Sequence, residues 1–232
     1  MALTTPMKLH ADLRCPATVD TSTLPWTASP AAGVERRLIE RNGAEMARAT
    51  SLVRYAPTAQ FPEHRHPLGE EILVLEGVFG DQFGEYPAGT YLRNPPGSAH
   101  APRTPEGCVI FVKLRHMDPD DPHRVVCDSA ALRWRSSATQ GLELMPLGGF
   151  RGERAAILRL APETSVADHR HGGGMEALVL QGTLEEAGMV HPRGTWLRRP
   201  ADSITRWSSA SGCTVFVKSG HLRPARAASV TR

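Results

Sequence analysis

The chain has 232 residues, 27 Lys and Arg against 24 Asp and Glu, and a formal net charge of +3. The basic residues are mostly arginines scattered along the chain, so the clustered footprint of a nucleic-acid binder is absent. Hydrophobic residues make up 41%, ample for a buried core, and no window approaches the roughly 18 apolar residues of a membrane span.

Residues 1–20 contain no apolar run long enough for a signal peptide. The four cysteines, Cys15, Cys108, Cys127 and Cys213, form no CxxC pair, so neither a thiolate zinc site nor a redox pair is signalled. The expectation is a cytoplasmic protein with reduced thiols.

Beyond the tryptophan at 26, the chain reads as short strands. SLVRYAP (51–57), EILVLEG (71–77), GTYLRNP (89–95) and CVIFVK (108–113) are apolar or alternating runs bounded by Gly and Pro. No capped helical pattern of ten or more residues appears, and 19 prolines argue against long helices. The pattern predicts an all-β chain of barrels or sandwiches. Several runs are apolar on both faces, as expected for strands covered on both sides.

Between the first two runs lies His64-Arg65-His66-Pro67-Leu68-Gly69-Glu70. Residues i and i+2 of a strand share a face, so His64 and His66 aim together while Arg65 points away. The turn at 67–69 reverses the chain, and Glu70 opens the next strand. The turn PPGSAH (95–100) brings His100 back to the same place. Three neutral imidazoles and one carboxylate suit one divalent transition metal (Zn, Fe, Mn or Ni) and leave coordination positions for chemistry.

Past a proline- and aspartate-rich linker at 117–124, the chain repeats itself. His64, His66, Gly77, Gly89, Pro95 and Phe111 recur 105 residues on as His169, His171, Gly182, Gly194, Pro200 and Phe216. Further upstream the spacing is 108, taking Trp26 to Trp134 and Gly33 to Gly141. A fixed-offset repeat of this length divides the chain into two domains, 1–118 and 119–232. The second copy keeps HRH but has Met175 for Glu70 and Thr205 for His100. Asp202 stands for Gly97, which is expected to spoil the turn. Glu176 is one residue out of register with Glu70 and faces the other way. Asp168 and His191 are the remaining candidates to compensate. The second domain is therefore expected to be a partner with a degenerate site.

Other residues carry weaker signals. Tyr91 and Arg93, or Lys113, could line the first pocket, but their recurrence as Trp196, Arg198 and Lys218 without the metal set favours a shared structural role. His116 recurs as His221 and reads as a strand-end residue. Cys108 and Cys213 sit in apolar runs and read as core. Trp26 and Trp134 read as core anchors, one per domain.

The spacing resembles the two motifs of the cupin superfamily. The first reads His64-x-His66-(x)3-Glu70-(x)6-Gly77, with Thr58 where the leading Gly belongs. The second reads Gly89-(x)5-Pro95-x-Gly97-(x)2-His100, with Thr104 in place of Asn. The resemblance implies two tandem cupin barrels (double-stranded β-helix, jelly roll), with His64, His66, Glu70 and His100 as the metal ligands.

More narrowly, HRHPLGEEILVLEGVFGD resembles the cupin domain of ChrR-type anti-sigma factors, over roughly 19–115 and 127–221. That resemblance implies either a metal-dependent enzyme of dioxygenase type or a zinc-binding sensory module. Sigma-factor inhibition is not implied, because the N-terminal zinc domain that performs it has a CxxC that this chain lacks. The partners expected are a small-molecule substrate or ligand, with a homodimer compatible, and neither nucleic acid nor membrane.

Overall fold

The structure is a computed structural model that describes residues 5–222. Among those residues the one helical turn is Thr21–Thr23, and everything else regular is antiparallel β-strand. Among the described residues no helix is long and apolar enough to cross a membrane.

The chain forms two compact units. The first runs to Ala11 and resumes over Thr21–Arg133; the second takes Asp12–Asp20 and continues from Trp134. Two strands thus join the sheet of the other half of the sequence. Ala17–Asp20 pairs with Thr195–Arg199, and Val125–Asp128 pairs with Thr90–Asn94. The stretch expected to be a plain linker is part of the fold. Asp121 within it is buried and receives two hydrogen bonds from Arg93, at 2.8 and 2.7 Å.

In the first unit the main sheet runs in the order Met7–Leu9, Val34–Gly43, Arg48–Tyr55, Cys108–Leu114, Glu70–Asp81, Thr90–Asn94, Val125–Asp128. A two-stranded ribbon, His64–His66 with Ser98–His100, carries the motif histidines. The second unit repeats this plan, from Arg135–Ser136 through Cys213–Ser219 and Met175–Glu186 to Thr195–Arg199. Two tandem jelly-roll barrels are the result.

Each long central strand must bend to serve both sheets. Gly77 and Gly182 stand at the bend, with φ of +70° and +68°. A Cβ at either would lie 2.1 Å from the carbonyl oxygen of Gly107 or Gly212. Only glycine fits there, on both steric and dihedral grounds.

The core of the first unit gathers Val34, Tyr55, Ile72, Phe79, Leu92 and Ile110; that of the second gathers Leu160, Met175, Leu184, Leu197, Trp207 and Val215. Burying one such side chain contributes about 1.5–3 kcal/mol. Cys108 and Cys213 are core residues, as expected. The two repeated tryptophans are not core anchors. Trp26 is half-buried between the guanidiniums of Arg37 and Arg54, at 4.5 and 4.4 Å, and Trp134 lies under Arg159 at 4.2 Å. They face a polar surface and cover it by cation–π contact.

Two turn departures proved tolerable. Thr58, in the slot of the motif's glycine, adopts φ of +62°, and Asp202, opposite Gly97, adopts φ of +66°. The Asp202 amide still donates to His171 O at 2.8 Å, as Gly97 does to His66 O at 2.8 Å. The second turn is not spoiled, because a short polar aspartate can occupy the left-handed region.

Candidate metal centre

The ribbon sets the site's geometry. His100 lies directly opposite His64 in the antiparallel register, and Ser98 opposite His66. Cross-strand pairing brings such side chains within contact range. The three imidazole centroids are 4.7, 5.1 and 4.9 Å apart. Glu70 enters from the main sheet, just after a turn closed by Gly69 N donating to His66 O at 3.1 Å. One donor atom from each of His64, His66, Glu70 and His100 lies within 4.8 Å of the others.

The atoms converge without bonding one another. Glu70 Oε2 is 3.4 Å from His66 Nε2 and 3.3 Å from His100 Nε2. Neither contact has hydrogen-bond alignment, so both Nε2 atoms are buried and unpartnered. A buried polar nitrogen left so is destabilising by about 1–3 kcal/mol. Donor atoms that converge in this way are what a cation would satisfy, and the donor set fits a divalent transition metal.

The second layer orients the donors. His64 Nδ1 donates to Pro62 O at 2.8 Å, turning Nε2 inward. His100 Nδ1 faces Asp81 Oδ2 at 3.3 Å. Asp81 Oδ1 in turn accepts from Phe83 N at 2.8 Å and from the Tyr86 hydroxyl at 3.0 Å. Asn94 Nδ2 donates to Glu70 Oε2 at 3.1 Å. Such partners fix tautomers and ring planes.

Electrostatics agree with this layout. Burial, and then the neighbouring imidazoles, hold His66 down to about 4 against the pull of Glu70, so its ring is neutral. Burial alone would lower His100, but the Asp81 hydrogen bond and the charge of Glu70 raise it on balance. His64 is only half-buried and forms the edge open to approach. Phe61 packs on His64 and Phe79 on His100, with centroids at 4.9 and 6.0 Å.

Asp81 and Asn94 escaped the sequence reading. Their signal was available in the repeat, where Glu186 and Arg199 stand in their places. Tyr91, Arg93 and Lys113 are not at this site. Leu92 and Asn94 face inward, so Tyr91 and Arg93 face the other side of the sheet. There Glu71 accepts from the Tyr91 hydroxyl at 2.6 Å and from Arg93 at 2.7 Å, while Lys113 donates to Thr50 at 2.9 Å.

The second unit does not rebuild the set. Met175 is fully buried in its core. His171 Nε2 is tied to Thr205 Oγ1 at 2.8 Å. Asp168 pairs with Arg206 at 2.9 Å on the exposed surface, and Glu176 lies 3.4 Å from His221. Arg199 donates to Glu186, the pair standing where the first unit has Asn94 and Asp81.

A family profile described as ChrR cupin-like domain matches residues 15–118 and again residues 122–223. No curated protein matches the sequence. Among solved structures, a Nostoc punctiforme protein provisionally assigned as a dioxygenase superposes with a TM-score of 0.75 at 18% identity, covering 91% of this chain and 85% of that one. Ylba from E. coli gives 0.72 at 16%, covering 94% and 95%. The pirin YhhW of Escherichia coli, solved with nickel(II), gives 0.66 at 13%, covering 88% and 98%. At these identities the likeness is one of fold.

Proposed function

The chain belongs to the ChrR cupin-like domain family, and on that premise we propose that its first unit is a metal-dependent small-molecule enzyme of dioxygenase type. His64, His66, Glu70 and His100 would hold one divalent transition metal. The observation that carries this reading is the pair of buried, unpartnered Nε2 atoms converging on Glu70. A metal there would supply Lewis acidity and, for iron or manganese, one-electron chemistry.

The chain's own residues do the rest. Asp81 holds the Nδ1 proton of His100 and so presents its Nε2 lone pair inward. Asn94 keeps one carboxylate oxygen of Glu70 in place. The half-open side at His64 admits a small molecule, and Phe61, packed on His64, shields that side from water. The provisional dioxygenase and the nickel pirin among the fold relatives support the reading.

Metal analysis of freshly purified protein should find near-stoichiometric transition metal. Iron-loaded protein should consume oxygen with a member of a panel of 1,3-diketones and hydroxyketones. Bound zinc with no oxygen uptake across that panel would overturn the enzymatic reading. It would favour a second one, a zinc-binding regulatory module, which the family match itself supports. A co-purifying protein partner would mark that case.

A further inference from the structure

The second unit replaces Pro67 and Leu68 of the first with Gly172 and Gly173. Of the three glycines in that turn, only Gly174 has a positive φ. A Cβ on Gly172 would meet nothing within 4 Å. Neither dihedral nor space explains glycine at 172. What the pair does is bare the backbone at the mouth of a cavity of about 540 Å³, within the size range of small-molecule sites. Among the described residues neither amide donates to a main-chain carbonyl, and Gly173 is buried.

The cavity is apolar inside, lined by Leu144, Leu158, Leu160, Val166, Met175 and Trp207. Leu160 and Val166 stand where the first unit has Tyr55 and Phe61, so two aromatic rings have been traded for smaller groups. Trp207, opposite Pro102, is the exchange in the other sense. The rim carries Arg154, His169 and Ser219, and no Asp or Glu lines the cavity. Arg154 and Met175 flank Ser219 in the sheet, which sets Arg154 two strands from the glycine turn. Arg170 and Arg206 are paired with Asp202 and Asp168. Arg154 has no carboxylate partner among the described residues.

We propose that this cavity binds a small amphipathic monocarboxylate without a metal. Its chain or ring would fill the apolar interior, and its carboxylate would sit at the rim on Arg154 and the Gly172 and Gly173 amides. A charge-assisted contact with a guanidinium, joined by free backbone N–H groups, is a known chemistry for oxyanions. His171 does not supply the charge, because it is committed to Thr205.

The test uses the full chain with octanoate and 4-phenylbutyrate as probes and octanamide as the uncharged counterpart. Binding is read by calorimetry and tryptophan fluorescence. Both acids should bind more tightly than octanamide. Arg154→Met should weaken the acids about tenfold, the size of one charged hydrogen bond, and leave octanamide unchanged. Gly172→Pro with Gly173→Leu, which restores the first unit's turn, should remove acid and amide alike. Removing metal with a chelator should change none of this. The proposal is overturned if neither acid binds at millimolar concentration, or if Arg154→Met keeps the preference for acid over amide. Acid binding that disappears with the metal would also overturn it, by placing the acid in the first unit. Should the turn variant fail to fold by circular dichroism, Arg154→Met decides alone.

Discussion

The first and second units share a strand plan, a bend glycine and an HxH ribbon, yet only in the first do buried ribbon nitrogens converge unpartnered on a carboxylate. In the first, His66 and His100 present buried Nε2 atoms to Glu70 with no hydrogen bond. In the second, His171 is satisfied by Thr205, and Glu186 by Arg199 and by Trp207 Nε1 at 3.1 Å. Buried polar groups are ordinarily partnered. In the second unit His171 and Glu186 obey that rule internally, while in the first His66 and His100 obey it only with something added. The HxH pair alone therefore does not mark a candidate centre; the unpartnered donors around it do.

The hardest way to break that contrast is Glu70→Met, which gives the first unit the residue of the second. Met175 packs fully buried in the same place, so the fold should survive. Metal affinity should fall by more than about a hundredfold, beyond the loss typical of an outer partner. Elemental mass spectrometry after dialysis checks this. Retained stoichiometric metal would mean that Glu70 is no ligand.

The reverse experiment sharpens the same point. Met175→Glu with Thr205→His restores the quartet on paper. Arg199 would remain, however, and would pair with the new carboxylate. The double variant should bind no second metal, whereas adding Arg199→Asn should permit it, with Glu186 free to hold the introduced imidazole. Metal-to-protein ratios of the two variants decide the matter. A smaller effect is expected from Asp81→Asn in the first unit. Loss of a carboxylate behind a ligating histidine weakens metal binding by about 10–100-fold. Competition with a chromophoric chelator would measure it, and an unchanged affinity would reduce Asp81 to a turn residue.

Much of this was legible from spacing. The repeat exposed the two barrels, and period-two alternation placed His64 and His66 on one face. The repeat also gave the turn glycine at 77. What spacing could not give was depth. Tyr91 and Arg93 sit between residues that face the site, and only pairing across the sheet showed that they turn to Glu71. Asp81 lies 19 residues from His100 and Asn94 lies 24 from Glu70, and each pair meets only through the fold. The exchange of Ala17–Asp20 and Val125–Asp128 between sheets was hidden as well, because edge strands carry little signal of which edge they join.

The smallest effect concerns His171, and it tests whether that ring is held neutral by burial and its tie to Thr205. Burial, and then His169, hold His171 at about 4, below the ordinary 6.5. Between those values the unfolded chain takes up a proton that the folded unit refuses. Stability should therefore fall as pH drops from 6.5 towards 4, and the loss should be complete below that. Partial exposure screens the effect, so about 1–2 kcal/mol is expected. Many groups titrate in this range, so the readout is a difference. His171→Asn can keep a hydrogen bond to Thr205 without titrating. Urea unfolding of metal-free protein at several pH values should show a shallower slope for the variant than for the parent. Equal slopes would mean that His171 is not shut away, and the contrast between the two units would then rest on Met175 and Arg199 alone.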